Sequence, residues 1–445
     1  MPFAKPMSND ALGILTTDRR RFYLRENVTK ELWTSVTPFT TIISNKGTER
    51  VPDPDFRMFN HRSGFVRQYM DIAAGAMDWA VNGSAGNLSN TARGVENKTG
   101  LGTNAAADDS LIGLVFEAWH GGNYLGVASV RSVAANGDVT FVSLGNPRAA
   151  NNQALDFPQG TRLVVMGSAI GEGQTSPEPF HDDLETVHNS SQIFRTPLEI
   201  TGTLHEASLR GYSKELARLR MEKNREHKMQ KERAFLLGNR VPGILANPFA
   251  DNAQAGTHTV DADGKTVRTT MGIVSALYRH GSAVETDDNQ NIFHRAMATY
   301  NNSRFIDDME KVFYYIPVSG YKTALCGPGA MSYWSKIATE GFLPESSMRV
   351  TVSDLQLDKL KFYFRWLETP HGMLKLVQAP GLRHEYRNHM VILDEANVGH
   401  IKYRDMYYAT NIKTENNYDG QKDEYFSDEG IRIDLLETHK LFTFN

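Results

Sequence analysis

The run G-Y-S-K-E-L-A-R-L-R-M-E-K-N-R-E-H-K-M-Q-K-E-R-A-F-L-L-G, from Gly211 to Gly238, reads as one long helix. Ser213 is placed to act as its N-cap, because a hydroxyl there can accept an orphan amide of the first turn. Gly238 is placed to stop it in the left-handed conformation, and Pro242 forbids continuation soon after. Nothing between them breaks a helix, and Ala, Leu, Arg, Met, Lys, Glu and Gln are all good formers. At a rise of ~1.5 Å per residue, Lys214 to Leu237 spans about 36 Å.

The face pattern is unusual. From Lys214 to Arg233, twelve of twenty residues are charged, eight basic and four acidic. Apolar residues collect at the ends: Leu216 and Leu219 at the start, Phe235, Leu236 and Leu237 at the finish. The pattern predicts a solvated rod pinned at both ends. Pairs one turn apart support it, with Glu222 and Glu226 set against Lys223, Arg218 and Arg225. A basic helix that reads DNA is a second possibility, but the interspersed glutamates oppose it and no heptad zipper follows.

The remaining composition removes whole classes of function. At 445 residues the chain can build two or three domains with cores of their own. A net charge of −4 gives no global drive toward nucleic acid or membrane. A single cysteine, Cys326, cannot form an internal disulfide or a cysteine-rich metal site. No run approaches the ~20 apolar residues of a membrane span. The N-terminal M-P-F-A-K-P-M-S-N-D lacks the apolar core of a signal peptide, so synthesis in the cytosol is expected.

Residues 1–50 read as an arm, punctuated by Pro2, Pro6, Pro38 and Gly47. Arg19, Arg20 and Arg21 form a basic cluster beside Phe22 and Tyr23, suited to gripping an acidic neighbour or a nucleic acid. A short helix is expected at Val28–Ser35 and a strand at Thr40–Ser44. Asn82–Ser110 is rich in Gly, Asn, Ser, Thr and Ala. Leu111–Ile170 is β-rich: Val127–Val133 and Val139–Leu144 flank Asn136-Gly137, a strong hairpin signal, and Thr161–Met166 is another strand. Ser190–Thr203 is extended and leads into the long helix.

Beyond it, Val260–Arg268 suggests a hairpin around Asp263-Gly264. Helices are expected at Asn291–Asn301, Ser303–Tyr315 and Ala330–Ala338, and strands at Lys322–Cys326, Met373–Val377, Met390–Leu393, Ile431–Leu436 and Lys440–Phe444. Leu360–Leu367 alternates, with Leu360, Phe362, Phe364 and Trp366 on one face. Helices and strands mix without strict alternation, so the fold class is α+β.

The motifs that could carry chemistry fail on context. Gly100-Leu101-Gly102-Thr103-Asn104-Ala105 has no strand before it and no helix after it. Gly327-Pro328-Gly329 lacks the Lys and Ser/Thr of a phosphate loop. Trp119-His120-Gly121-Gly122 is similar to an esterase oxyanion loop, but no G-x-S-x-G elbow accompanies it. Asp261-Ala262-Asp263-Gly264 lacks the glutamate that completes a calcium loop. No H-E-x-x-H occurs. Cys326 follows an apolar strand and reads as a buried small residue. No catalytic residue, metal site or cofactor is expected.

The order of parts says more than any motif: an arm, an extended excursion carrying a β unit, a long charged helix, then an α+β region closing in short strands. This resembles the Hong Kong 97-type fold of tailed-phage major capsid proteins, in a subfamily with a β insertion before the spine helix. The residues that carry the resemblance run from about 180 to 445. They are N-S-S-Q-I-F from Asn189, Ile200-Thr201-Gly202-Thr203, the charged helix ending in A-F-L-L-G-N, and M-V-I-L-D-E-A-N-V-G-H-I-K-Y-R-D-M-Y-Y-A-T-N-I from Met390. Asp419-Gly420 and D-E-G-I-R-I-D-L-L-E-T-H-K-L-F complete the set.

The resemblance implies a role for each part. Residues 1–50 would be the arm, 51–107 and 176–203 the extended loop that lies on a neighbouring subunit, and 108–175 its inserted subdomain. Residues 204–290 would hold the spine helix and peripheral domain, and 291–445 the axial domain with a return to the peripheral one. The protein would be a structural subunit, not an enzyme. Hexameric and pentameric capsomers of itself would close an icosahedral shell around double-stranded DNA, contacted non-specifically. Scaffolding, portal and decoration proteins would be its other partners, and the virion its destination after assembly in host cytoplasm. Inter-subunit contacts are expected from Arg19, Arg20, Arg21, Arg218, Glu222, Arg225 and Glu226. The rival reading is a nucleic-acid-binding protein using helix 213–237 and Arg19–Arg21; a third is a hydrolase using His120.

Overall fold

The central helix forms over Glu215–Leu237, 23 residues, or about 34 Å. The computed structural model describes residues 37–60, 69–74, 85–89, 112–133, 138–150, 157–158, 161–173, 185–206, 215–240, 267–285, 290–317, 319–340, 351–352, 356–357, 363–412 and 419–445. The Val28–Ser35 helix, Arg19–Arg21, the Ser213 cap, the glycine motif at Gly100 and residues 260–266 of the Val260–Arg268 hairpin lie outside the described residues.

In chain order, α1 (Pro38–Asn45), β1 (Thr48–Arg50) and β2 (Asp55–Asn60) lead into β3 (Tyr69–Ala74) and β4 (Ala85–Ser89). Next come β5 (Leu114–His120), β6 (Asn123–Val133), β7 (Asp138–Gly145) and β8 (Arg162–Ser168). β9 (Glu185–Ser190), β10 (Gln192–Thr201) and α2 (Gly202–Glu206) precede α3 (Glu215–Leu237). After it stand α4 (Ile273–His280), β11 (Ile292–Arg295), α5 (Asn302–Val312), β12 (Tyr321–Cys326) and α6 (Pro328–Glu340). β13 (Thr351–Val352), β14 (Gln356–Leu357), β15 (Tyr363–Thr369), β16 (Gly372–Gln378) and β17 (His389–Leu393) follow, then β18 (Val398–Ala409), β19 (Gly420–Ile433) and β20 (Lys440–Phe444). The class is α+β.

The chain forms two compact units. One contains Ile193–Lys231 and Asp405–Ser427; the other contains Val36–Gln192, Glu232–Arg404 and Asp428–Asn445. The first unit holds most of α3 beside strands in the order β18-β19-β10. Along β10, Phe194, Thr196, Leu198 and Ile200 are buried and their neighbours exposed, the period-2 signature of a half-buried strand.

In the second unit, six strands close a barrel in the order β3-β4-β7-β6-β5-β8. The Asn136-Gly137 signal is borne out, because β6 and β7 pair antiparallel on either side of it. The barrel also takes in β3 and, from within the Asn82–Ser110 run rich in Gly, Asn and Ser, β4. Phe116, Ala118, Leu125, Ala128, Val130, Phe141, Phe157 and Leu163 fill its interior.

A mixed eight-stranded sheet follows the path β11-β20-β17-β12-β16-β15-β13, with β14 paired to β15. α5 and α6 supply Phe305, Met309, Val312, Ala330 and Trp334 to one face, against Phe293, Phe442, Phe444, Met390, Ile392, Leu374 and Leu376.

Several sequence expectations change. Thr40–Ser44 is helical, not a strand, despite its β-branched residues. Pro38 opens α1, and Phe39, Ile42 and Ile43 are buried at helical spacing. Asn291–Asn301 is not a helix. Ile292–Arg295 runs parallel to Lys440–Phe444 as β11, because the Asn291 side chain donates to the Leu436 and His439 carbonyls and fixes the chain as an edge. On β15 both faces contribute a buried side chain, Leu367 to the large core and Phe364 on the face it shares with Trp366.

Gly238 does end the helix region, but not in the left-handed conformation. It is needed because a Cβ would lie 2.4 Å from the Ala234 carbonyl oxygen and 2.6 Å from that of Thr270.

Candidate functional site

The long helix is not wet all round. Arg220, Asn224, His227 and Lys231 recur at spacings of four, three and four, which places them on one face. In the first unit that face meets the sheet. His227 is fully buried between Thr196 Oγ1 on β10, 3.0 Å from Nδ1, and Ser427 Oγ on β19, 2.9 Å from Nε2. Phe194 and Tyr425 flank its ring.

Arg220 donates to Asp423 through Nε at 3.1 Å and Nη2 at 2.8 Å. The fully buried Asp423 also accepts from Tyr408 Oη, the Asn411 amide and Gln421. Burial opposes ionisation of Asp423, but these donors outweigh it and hold the carboxyl below its ordinary value. Burial first, and then the same contact with Asp423, pushes the Tyr408 phenol up. Hydrophobicity could not reveal this seam, because every member is polar. The signal available was the helical spacing of R-x3-N-x2-H-x3-K.

The other face carries the residues expected to touch neighbours. Arg218 is bridged by Glu215 at 2.5 Å and Glu222 at 3.1 Å. Glu226 pairs with Lys223 at 2.7 Å and accepts from Gln230 at 3.3 Å. Arg225 is half-buried. Arg218 and Glu222 thus share one set of ion pairs along the rod, and Glu226 belongs to a second.

In the second unit, the end of α3 holds α1. Glu232, fully buried, accepts from the Phe39 amide at 3.0 Å, the Thr40 amide at 2.7 Å and the Thr40 hydroxyl at 2.6 Å. It is a helix N-cap supplied from 192 residues away. Burial raises the Glu232 pKa, and the donors only partly offset it. At the far end of α1, Ser44 lies 3.1 Å from His400 Nδ1, and His400 Nε2 lies 2.9 Å from Glu429. Residues 38–45 are thus tied into the second unit at both ends of α1.

The Asn189-Ser190-Ser191 run is also explained. Asn189 is buried, donates to the Met271 and Ile431 carbonyls, and accepts from the Met271 amide. Arg268 joins the Ser191 carbonyl at 3.0 Å to buried Asp428 at 2.6 Å, and Arg404 reaches the same carboxylate at 3.2 Å. This motif is a polar corner that locks strand ends.

No catalytic constellation appears among the described residues. Cys326 is fully buried and its thiol pushed up by burial, which removes nucleophilicity. His120 Nδ1 is buried without a hydrogen-bond partner. No group of three or more His, Cys, Asp or Glu among the described residues could hold a metal ion. None of the described helices is long and apolar enough to cross a membrane.

Residues 25–426 match the model of the SU10 major capsid protein family. No curated protein matches the chain. Among solved structures, it is similar to the capsid of a native GTA particle computed with C5 symmetry, at 7% identity over 98% of both chains with a TM-score of 0.45. It is similar to a chain of Mycobacterium phage Bobi at 7% identity over 99% of both, TM-score 0.43. A third likeness is to the mature capsid of bacteriophage PhiM1, at 7% identity, TM-score 0.38, over 63% of this chain and 79% of that one.

Proposed function

Because the chain belongs to the SU10 major capsid protein family, we propose that it is the subunit of an icosahedral shell enclosing the double-stranded DNA of a tailed phage. The match across residues 25–426 carries this reading. Hexamers and pentamers of the chain form the shell in host cytoplasm, with scaffolding, portal and decoration proteins as its partners. Residues 51–107 and 176–203 act as the extended loop over a neighbour, with 108–175 as its insertion. Arg19–Arg21 grip a neighbouring subunit.

The nucleic-acid-reading helix loses support, because several cations of α3 are engaged within the chain. Arg218 is held by two glutamates, Arg220 is committed to Asp423, and Lys231 is buried. The test is negative-stain microscopy with sedimentation of the expressed chain. Closed shells or ring-shaped capsomers are expected; a monomer under every assembly condition refutes the reading. Removing residues 1–36 while keeping α1 should weaken particle formation with little change in the melting temperature.

A further inference from the structure

One end of the barrel carries an ordered stack of two aromatic rings and an arginine. β5 and β6 are joined by Gly121 and Gly122, whose φ values of 56° and 84° suit glycine. A Cβ at either would meet nothing within 4 Å, so the turn borders open space. Trp119 and Tyr124 flank it edge to face, with centroids 5.2 Å apart. Glu117 accepts from the Trp119 indole at 3.4 Å.

The loop after β7 then lays Arg148 on both rings. Its guanidinium carbon lies 4.1 Å from the Tyr124 centroid and 4.7 Å from that of Trp119. Buried Asn146 fixes this loop: it donates to the Leu125 carbonyl at 3.2 Å and accepts from the Arg148 amide at 2.9 Å.

Arg148 is exposed, and no carboxylate among the described residues pairs with it. The stack restricts the side chain, which remains exposed to solvent. A pre-ordered planar fork of this kind suits a carboxylate held in two hydrogen bonds. Trp, Tyr and Arg together are also the residues that dominate protein interfaces. A duplex would need many cations to gain affinity, whereas the stack itself presents Arg148 and sets Glu117 beside Trp119.

We infer that Trp119, Tyr124 and Arg148 form a docking point for an acidic side chain on a second copy of this chain. The inference rests on the shell-subunit reading and extends it by naming a contact of the insertion. The chain carries 52 acidic and 48 basic residues, so each copy has carboxylates in excess to offer.

The test compares the full chain with Arg148→Gln and Arg148→Glu. Two quantities are read: the melting temperature, and the concentration at which half the chain sediments as particles, at low and at ~1 M salt. The expected result is an unchanged melting temperature and a rise in that concentration of about tenfold for Arg148→Glu at low salt, smaller for Arg148→Gln. The difference from wild type should vanish at high salt.

A deficit that persists unchanged at high salt, or tracks a lower melting temperature, makes Arg148 only a lid on the rings and overturns the inference. So does unaltered assembly. Filter binding to duplex DNA supplies the remaining outcome: loss of retention with intact assembly assigns the point to nucleic acid instead. A wild-type chain that forms no particles at all refutes the shell reading itself, a result distinct from any of these.

Discussion

Around Trp334 the second unit buries aromatic rings against one another; beneath α3 the first unit buries hydrogen-bonded polar groups. Trp334 meets Phe305 at 5.0 Å and Phe444 at 5.6 Å, and Phe293 stacks on Phe442 at 4.4 Å. The seam under α3 joins Arg220 to Asp423 and His227 to Thr196 and Ser427. An apolar core gains by area and tolerates swaps of similar volume. A polar seam gains little net energy, but each member left without its partner is costly. The seam therefore sets the register of the helix more than it adds stability.

The largest expected effect falls on the aromatic core. Trp334→Ala should cost about 3–5 kcal/mol, through lost burial and a cavity. Trp334→Phe should cost much less, because the buried indole Nε1 has no partner to lose. Chemical denaturation followed by near-UV circular dichroism gives both values. Equal losses would mean that the indole nitrogen is satisfied after all, and that this core is not purely a matter of volume.

Next comes the seam. Asp423→Ala leaves Arg220 and Tyr408 without their shared acceptor, at a cost of about 2–3 kcal/mol. That is below the full figure for a buried pair, because the Arg220 side chain is 34% exposed. Removing Arg220 as well should recover part of the loss. A double variant no better than the single one would show that the two do not act as a pair.

These two regions differ in legibility for the same reason. The aromatic core follows from apolar residues on alternating strands, so Lys322–Cys326, Met390–Leu393 and the helix after Pro328 could be read directly. The Asn136-Gly137 hairpin followed from turn chemistry. The length of α3 followed from its helix formers, but its packed face did not, because a polar stripe reads as solvated. α1 was hidden because its cap is Glu232, far along the chain, and local β-branched residues point to a strand. Of the candidate contact residues, Arg218 and Glu222 prove to share one set of ion pairs, and Glu226 pairs separately with Lys223. The Trp119–Arg148 stack could not be seen, since it depends on a loop held by Asn146.

A third test uses charge inside the apolar region. Lys440 is buried and donates to the Gln290 carbonyl at 2.7 Å. Burial first, then Lys322 and Lys311, push its pKa down to about 7, while Glu437 opposes. Burial likewise brings Lys322 to about 8. The unfolded chain, with lysines near 10.5, binds more protons than the folded one between pH 7 and 10.5. Stability should therefore rise with pH across that window and be flat, as far as Lys440 is concerned, below it. The slope is at most about 1.4 kcal/mol per pH unit for each group. Lys440→Met should flatten melting temperature against pH between 7 and 9. A wild-type profile falling with pH there would contradict the burial of both lysines.

The smallest expected effect is local. Glu232→Gln keeps the shape of the side chain but leaves one oxygen to serve three donors now shared by two: the Phe39 amide, the Thr40 amide and the Thr40 hydroxyl. It also removes the negative charge from the positive end of the α1 dipole. About 1 kcal/mol of cap energy should be lost, and the cost should appear in α1 alone. Ile42 and Ile43 amides should exchange with solvent roughly fivefold faster, while those of β12 and β17 stay unchanged. Glu232→Ala should exceed this, since no acceptor would remain for two buried amides. If exchange in α1 does not respond to either substitution, apolar burial of Phe39, Ile42 and Ile43 holds the helix unaided. The polar contact would then be incidental there, and the contrast between the two kinds of core would narrow to the seam under α3.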